Sequence, residues 1–265
     1  MEKFNFKKKF GQNFLKDIRI VERIADIPSI TKEDLVIEVG PGKGILTEQL
    51  AIRSKKVLSY EIDKELEEDL SKLQNKYNNI DIIYDDFIER NISEDIEKYK
   101  YNKIFFVSNV PYYITTPILM KLMEEDVSFS KIVMMVQKEV GDRFSAKPNT
   151  KSYGSITVYL NYFYNIKKEL YVDRKEFTPI PNVDSVVISF SIKDELLQLT
   201  DKELFFEIVR NSFQFKRKTI KNNLFNYNLE KIEKVLLNRG YSLSSRAEQL
   251  PVEVYVEIAN ILSKS

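Results

Sequence analysis

The chain of 265 residues contains no cysteine and no histidine, and it has only seven glycines. Without Cys and His it cannot form a disulfide, a thiol nucleophile, a Ser-His-Asp triad or a zinc site with the usual ligands. Catalysis is then left to carboxylates, amides, tyrosines and backbone groups, which suits a reaction whose reactive group is carried by a cofactor. We therefore expect no bound metal.

Long hydrophobic runs are also missing. No stretch approaches about 18 uninterrupted apolar residues, and the N-terminal sequence MEKFNFKKKF has no apolar run of the kind found in signal peptides. Hydrophobic residues make up 43% of the chain and charged residues 31%, which fits neither a disordered chain nor a membrane protein. We expect a soluble, cytoplasmic monomer that does not bind membranes.

The net charge is only +1, but the basic residues are unevenly distributed. From residue 201 onward there are 11 Lys and Arg against 8 Asp and Glu. Two separate basic clusters on a nearly neutral protein predict an oriented surface for a nucleic acid, although a solvated helix face is the alternative for the second cluster. The clusters are Lys7, Lys8 and Lys9 near the start, and Lys216, Arg217, Lys218 and Lys221 in a stretch without an acid.

Short apolar segments alternate with helical patterns between residues 30 and 140, and this alternation predicts an α/β fold with a mostly parallel, Rossmann-like sheet. Two later segments rich in β-branched and aromatic residues, 155–163 and 183–192, predict an antiparallel hairpin at the sheet edge. The predicted strands before them are 35–39, 56–61, 80–84, 104–107 and 132–136, and the predicted helices are 45–52, 64–77 and 116–124.

The strand pattern stops after residue 192. Four helices are predicted in the remainder, with Gly240 ending one and Pro251 beginning another. We therefore place a boundary near residue 195, which gives a first domain of residues 1–194 and a small all-α domain of residues 195–265. The four predicted helices are 202–213, 219–225, 229–238 and 252–262.

Three of the seven glycines, Gly40, Gly42 and Gly44, lie between a predicted strand and a predicted helix. Glycine is favoured there because the turn needs positive φ and because a ligand can approach the backbone closely. The dinucleotide pattern G-x-G-x-x-G is not met, since Ile45 occupies its last position, and this disfavours a dehydrogenase. The spacing from Glu38 through Gly44 is instead typical of S-adenosylmethionine sites in Rossmann-like methyltransferases.

Two carboxylates follow the next two predicted strands. Glu61 ends a strand 21 residues after Gly40, where an acceptor can bind both hydroxyls of a ribose, and Asp86 follows the third strand. Because the carboxyl ends of parallel strands meet at one edge of a sheet, these residues and the glycines predict a crevice for a nucleotide-like ligand. An ordinary tight turn with solvated strand ends is the alternative.

The fourth predicted strand is followed by Asn109-Val110-Pro111-Tyr112. The exocyclic amine of adenine is a weak nucleophile because its lone pair is delocalised into the ring. Two acceptors, the Asn109 side-chain oxygen and a backbone carbonyl held by Pro111, would favour a pyramidal nitrogen with its lone pair directed at a methyl donor. Tyr112 would stack on the base. A simple turn leaving a strand is the alternative.

Taken together, the motifs closely resemble the ribosomal RNA adenine N6,N6-dimethyltransferase family over nearly the whole chain. Besides the residues above, the resemblance rests on residues 10–15 (FGQNFL), 137–140 (QKEV) and 177–185 (FTPIPNVDS). It implies a Rossmann-like class I methyltransferase fold, with Asn109, Val110 and Tyr112 holding a target adenine and Phe177 stacking on its other face. It also implies that S-adenosylmethionine is contacted by Asn13, Leu15, Gly40, Glu61, Asp86 and Asn109.

Two positions depart from the family pattern: Val110 replaces the Leu of Asn-Leu-Pro-Tyr, and Asn182 stands where many members have Lys. Residues 212–224 and 245–250 resemble the members that act on small-subunit rRNA, and the erythromycin-resistance (Erm) branch lacks a close counterpart. The resemblance implies dimethylation of two adjacent adenosines in the 3′-terminal hairpin loop of 16S rRNA within an immature 30S subunit. An Erm-like 23S rRNA methylase and a non-catalytic, methyltransferase-like assembly factor are the alternatives.

Overall fold

The computed structural model describes residues 14–125 and 127–264. By contacts the chain divides into two compact units, the first formed by the chain up to Gly141 with Lys167–Ser191, the second by Asp142–Ile166 and the chain from Ile192 onward. Residues 142–166, which the sequence analysis placed in the first domain, thus group with the C-terminal helices. The assignment of 1–194 and 195–265 as domains with separate functions stays a prediction.

Nine strands are formed in the described residues. In chain order they are β1 (Phe14–Leu15), β2 (Leu35–Val39), β3 (Lys56–Tyr60), β4 (Ile80–Ile83), β5 (Ile104–Ser108), β6 (Lys131–Gln137), β7 (Tyr164–Val172), β8 (Phe177–Thr178) and β9 (Ser185–Ile192). Seven of them form one sheet in the order β4-β3-β2-β5-β6-β9-β7, and β1 pairs with β8 in a separate antiparallel pair.

The first five strands in this order, β4, β3, β2, β5 and β6, run parallel to one another, and β9 is antiparallel to β6. All five residues of β2 and of β5 are buried, as expected for a parallel sheet with both faces covered. The one acid in these two strands is Glu38, in β2. The mostly parallel sheet with a mixed edge confirms the predicted fold class.

Eleven α-helices are formed in the described ranges. They are α1 (Ile18–Asp26), α2 (Ile45–Arg53), α3 (Glu67–Lys76), α4 (Ile92–Ile96), α5 (Thr115–Glu124), α6 (Lys138–Phe144), α7 (Ser155–Phe163), α8 (Lys202–Ser212), α9 (Ile220–Asn223), α10 (Leu229–Asn238) and α11 (Val252–Leu262). Across residues 14–125 and 127–264, no helix is both long and apolar enough to cross a membrane.

Helix α1 is absent from the sequence predictions. Its N-terminus is capped by Asp17, whose side chain accepts a hydrogen bond from the backbone N–H of Arg19 at 2.9 Å. Its buried face, Val21, Ile24 and Ala25, packs in the apolar core between the sheet and α2. This helix places apolar side chains beside the carboxyl edge of the sheet.

The predicted strand at residues 155–163 is wrong, because this segment forms helix α7. Two of its aromatic residues, Tyr159 and Tyr162, are buried three positions apart, as on one face of a helix. The Tyr159 hydroxyl donates to the Phe206 carbonyl at 2.9 Å, and the centroid of the Tyr162 ring lies 5.1 Å from that of Phe205. Packing within the second unit therefore overrides the β propensity of this segment. The edge strand that lies beside β9 is β7, which begins directly after α7.

Candidate active site

The loop between β2 and α2 carries three glycines in the left-handed conformation. The φ angles are +70° at Gly40, +59° at Gly42 and +76° at Gly44, a region that other residues rarely adopt. The loop is closed by backbone hydrogen bonds from Gly40 N–H to the Tyr60 carbonyl and from Gly44 N–H to the Pro41 carbonyl, both 2.9 Å. The predicted glycine turn is therefore present between the strand and the helix.

The first and last glycines of this loop face different neighbours. A Cβ added at Gly40 would lie 3.5 Å from Cδ of Pro111, so the glycine loop lies against the Asn109–Tyr112 segment. A Cβ at Gly44 would lie only 2.6 Å from Cδ2 of Leu73 in α3. Gly44 is not among the residues that line the cavity described next, and it lies against Leu73 and Leu70 of α3. Its contact with the ligand stays a prediction.

A cavity of about 170 Å³ lies at the carboxyl ends of the parallel strands. The glycine loop, the residues after β3 and β4, and the segment after β5 all contribute to its wall, so the structure brings together the motifs expected to meet at this edge. Apolar side chains of α1 and α2 and Leu15 complete the wall. Its polar lining side chains include Glu38, Lys43, Glu61, Asp85, Asp86 and Asn109.

Glu38 is a carboxylate buried in the apolar sheet, with 1% of its surface exposed. Its Oε2 accepts hydrogen bonds from Thr47 Oγ1 at 2.7 Å and from Ser59 Oγ at 2.8 Å. Burial nevertheless raises the pKa of Glu38 to about 7, and the nearby Glu61 charge adds to the effect. A cationic ligand in the cavity would compensate this buried negative charge.

Glu61 is fixed by backbone donors on both sides. Its Oε2 accepts from Gly42 N–H at 3.2 Å and its Oε1 accepts from Asp63 N–H at 2.9 Å. Burial raises the pKa of Glu61, while these hydrogen bonds oppose the shift. The carboxylate therefore links the end of β3 to the glycine loop, in a position to accept hydrogen bonds from hydroxyl groups of a ligand.

Asp86 begins a short 3₁₀ helix, Phe87–Glu89, after β4. Its Oδ1 accepts from Ile88 N–H at 2.9 Å, and this bond fixes the carboxylate at the cavity wall. Four acidic residues, Glu38, Glu61, Asp85 and Asp86, thus line one cavity, and Lys43 is the one basic residue among the described residues that line it. The arrangement favours a ligand with positive charge and with hydroxyl or amine donors.

The Asn109–Tyr112 segment is held from both sides. Before it, Ser108 Oγ donates to the Val39 carbonyl at 2.5 Å, which joins the ends of β5 and β2. Within it, Val110 is buried, Asn109 is half-buried, and both line the cavity with Pro111 and Tyr112. The Tyr112 hydroxyl is 2.7 Å from Ser185 Oγ.

Some predicted site residues lie elsewhere. Phe177 is fully buried in the core of the first unit, where β8 pairs with β1 through Leu15, and it does not line the cavity. Its proposed stacking on a base stays a prediction. The C-terminal basic cluster is exposed in the second unit, on the segment between α8 and α9 and on α9. Asn13, Lys7, Lys8 and Lys9 lie outside the described residues.

The structure adds cavity residues that the sequence analysis missed. Ile62 is 46% exposed and directly follows Glu61, and Tyr113 is 56% exposed and directly follows Tyr112. Exposed apolar side chains beside acceptor groups would give a flat ring a surface to contact. Their positions immediately after predicted site residues were the signal available in the sequence. In the described ranges no cluster of acids suited to a metal ion is found.

A Rossmann-like parallel sheet with a glycine loop and acidic side chains at its carboxyl edge defines a class I methyltransferase fold. The profile of the family described as ribosomal RNA adenine dimethylase matches residues 3–264. The chain belongs to this family.

Curated relatives and solved structures agree with this assignment. The chain is 39% identical over 265 residues to ribosomal RNA small subunit methyltransferase A of Oceanobacillus iheyensis, covering 97% of this chain and 90% of the relative. It is 42% identical over 269 residues to the protein of the same name from Bacillus cytotoxicus, covering 98% and 92%.

Two solved structures cover most of the chain. A dimethyladenosine transferase from Plasmodium falciparum aligns with a TM-score of 0.77 at 26% identity, over 95% of this chain and 98% of that one. The 23S rRNA methyltransferase ErmE aligns with a TM-score of 0.73 at 26% identity, over 94% and 99%. The fold is therefore similar to that of a dimethyladenosine transferase and to that of a 23S rRNA methyltransferase.

Proposed function

We propose that this chain transfers methyl groups from S-adenosylmethionine to N6 of two adjacent adenosines in the 3′-terminal hairpin loop of 16S rRNA, in an immature 30S subunit. The observation that carries the proposal is the contact between two motifs: the glycine loop lies against Pro111, and both motifs line one cavity. A methyl donor and a target amine can therefore meet there. The names of the relatives at 39–42% identity support the small-subunit substrate.

The acidic lining of the cavity suits a cationic nucleoside. S-adenosylmethionine, when bound, supplies an electrophilic methyl group on a positively charged sulfur. Glu61, already held by backbone N–H groups, would accept the ribose hydroxyls, and Asp86 would accept from an amine of the donor's base. Gly40 and Gly42 leave space for the donor to approach the backbone, and the resemblance adds Leu15, Asn13 and Asn109 to its contacts.

The target adenine would be held by the segment after β5. Asn109 would accept a hydrogen bond from the exocyclic amine through its side-chain oxygen, and a backbone carbonyl fixed by Pro111 would accept the other. Tyr112 would stack on the ring, and Val110 would contribute its backbone. After methylation the nitrogen is acidic enough to lose its proton to water, so a histidine base is not required.

Recognition of the RNA is assigned to basic side chains that are not among those lining this cavity. Lys216, Arg217, Lys218 and Lys221 are exposed on one short segment of the second unit. A folded RNA offers such a segment phosphates at defined positions, and an unpaired loop base costs less to extrude into a pocket than a paired one. The N-terminal Lys7, Lys8 and Lys9 are proposed as a second contact.

A 23S substrate is the second candidate, because ErmE aligns almost as well as the dimethyladenosine transferase. The two candidates are separated by incubating the protein and the labelled donor with under-methylated 30S subunits and, separately, with free 23S RNA. We expect label in the 30S subunits and a primer-extension stop at two adjacent adenosines near the 3′ end of 16S rRNA. Label only in 23S RNA would contradict the proposal.

A further inference from the structure

Two side chains from distant parts of the sequence meet behind the proposed adenine pocket. The hydroxyls of Tyr112 and Ser185 lie 2.7 Å apart, although 73 residues separate them along the chain. Tyr112 lines the cavity, whereas Ser185 does not and is fully buried at the start of β9. Ser185 is therefore placed to act on a bound base through Tyr112.

Ser185 is rigidly placed. It lies opposite Gln137 in the antiparallel pairing of β9 with β6, at the end of that ladder. The residue before it, Asp184, accepts a backbone hydrogen bond from Lys138 N–H at 2.9 Å through its carbonyl. The Asp184 side chain is held as well, by Arg174 N–H at 3.1 Å and by the Tyr171 hydroxyl. The backbone of Ser185 is thus held by the sheet, and this gives its hydroxyl a fixed position beside the turn that carries Tyr112.

The backbone around Tyr112 is held by hydrogen bonds within its own segment. It lies in a short 3₁₀ turn, Tyr112–Ile114, in which Thr115 Oγ1 donates to the Tyr112 carbonyl at 3.2 Å and Ile114 N–H donates to the Pro111 carbonyl at 3.2 Å. Neither bond restricts rotation of the tyrosine ring about its side-chain torsions. The bond to Ser185 does, because it fixes the far end of the ring.

We propose that Ser185 is a positioning residue that holds the Tyr112 ring in the orientation needed to stack on the target adenine. This inference rests on the proposed function and extends it to a residue outside the pocket. A stacked base depends on the angle of the ring beneath it, so the effect falls on the methyl-transfer step and on the RNA, and leaves the affinity for the donor unchanged.

The variants Ser185→Ala and Tyr112→Phe each remove one hydroxyl of this pair while keeping the tyrosine-sized ring. We expect each to lower kcat/KM for 30S subunits by about 3- to 10-fold, the range for one neutral hydrogen bond. The double variant is expected to be no slower than either single variant, because the two hydroxyls act through one bond. Donor affinity, measured by calorimetry without RNA, should match the parent.

Ser189→Ala is the matched control. Ser189 lies on the same strand, is nearly fully buried, and its hydroxyl also makes a 2.7 Å hydrogen bond, but to Glu169 on β7 and away from the cavity. It should lose thermal stability to a similar degree as Ser185→Ala while keeping the parent kcat/KM. A merely structural role for Ser185 would make the two serine variants alike in both measurements.

The possible outcomes are distinct. Parent-like kcat/KM in Ser185→Ala, or losses that multiply in the double variant, would overturn the inference while leaving the proposed function intact. A parent protein that fails to methylate 30S subunits would overturn the proposed function, and this inference with it. Equal losses of kcat/KM in the two single variants, no further loss in the double variant and an unchanged donor affinity would support the inference.

Discussion

At the scale of single residues, the site places negative charge where the sheet is most apolar. Glu38 is buried in β2, and its two hydroxyl donors do not offset the loss of water around the carboxylate, so its pKa is raised from 4.5 to about 7. Such a group is retained at a cost in stability, which is a common property of functional sites. The cost is measurable because it depends on pH.

We expect Glu38→Gln to remove this pH dependence. Between pH 4.5 and 7 the folded protein keeps the Glu38 proton while the unfolded chain has lost it, so the stability of the parent falls as the pH rises through this window. The amide of the variant does not titrate. The difference in the free energy of unfolding between the variant and the parent should therefore shift by about 2–3 kcal/mol in favour of the variant between pH 4.5 and pH 8.

The measurement is denaturant unfolding of the donor-free protein at both pH values. Glu33→Gln is the control, because Glu33 is an exposed acid in the same unit and its substitution should leave the pH dependence unchanged. A Glu38→Gln variant whose stability declines with pH as steeply as the parent's would show that Glu38 is ionised throughout the window.

Asn109 is expected to act on the reaction more than on the fold. Asn109→Ala should lower the rate of methyl transfer to 30S subunits at saturating donor by roughly 10²–10³, as for the loss of one preorganised polar partner of a reacting group. Asn102→Ala is a suitable control, since Asn102 is exposed just before β5 in the same unit. Transfer at the parent rate by Asn109→Ala would exclude the proposed role.

Several site residues could be predicted from the sequence because each lies within three residues after the end of a strand. Glu61 and Asp86 are examples, and the structure places both in one cavity wall. Ser185 could not be found in this way. Its relation to Tyr112 depends on how β9 docks beside β6, which is a long-range pairing that no local pattern encodes.

At the scale of elements, the same limit explains the error at residues 155–163. The segment has strong β propensity, yet it forms a helix whose aromatic side chains pack against Phe205 and Phe206 of α8. The parallel strands were predictable because a doubly covered sheet favours long apolar runs, and β2 and β5 are apolar except for Glu38 and Ser108. Strand propensity predicts the conformation of a segment well where both faces of the strand are buried in the sheet. It predicts less well where packing against one neighbouring element, here α8, determines the conformation.

The glycine loop offers a test of what each glycine contributes. Gly44→Ala adds a Cβ 2.6 Å from Leu73 and also strains a positive φ, whereas Gly40→Ala adds only the strain, since its nearest neighbour is at 3.5 Å. We expect Gly40→Ala to cost about 1–2 kcal/mol of stability, and Gly44→Ala about 1 kcal/mol more because Leu73 must move.

For donor affinity, the two glycine variants should rank in the opposite order. Gly40 lines the cavity and Gly44 does not, so donor affinity measured by calorimetry should fall more in Gly40→Ala. The two variants are each other's control, because they lie in one loop with similar φ angles. If Gly44→Ala were the more stable variant, or the one with weaker donor binding, then packing against α3 would not be its main role.

At the scale of the whole molecule, a net charge of +1 gives little general attraction to RNA. Binding must then depend on where the cations lie. The exposed segment from Lys216 to Lys221 concentrates four of them without a neighbouring acid, and this was visible in the sequence. Its exposure in the structure makes it a candidate for phosphate contacts, each of which displaces counterions and so contributes to the salt dependence of binding.

We expect Lys216→Ala and Arg217→Ala each to weaken binding to 30S subunits and to reduce the slope of log K against log salt concentration by about 1. Lys234→Ala, which removes one exposed cation from α10 in the same unit, is the matched control and should leave the slope unchanged. A filter-binding titration at several salt concentrations measures the slope directly. Equal slopes for all three variants would mean that overall charge, and not this segment, governs the encounter with RNA.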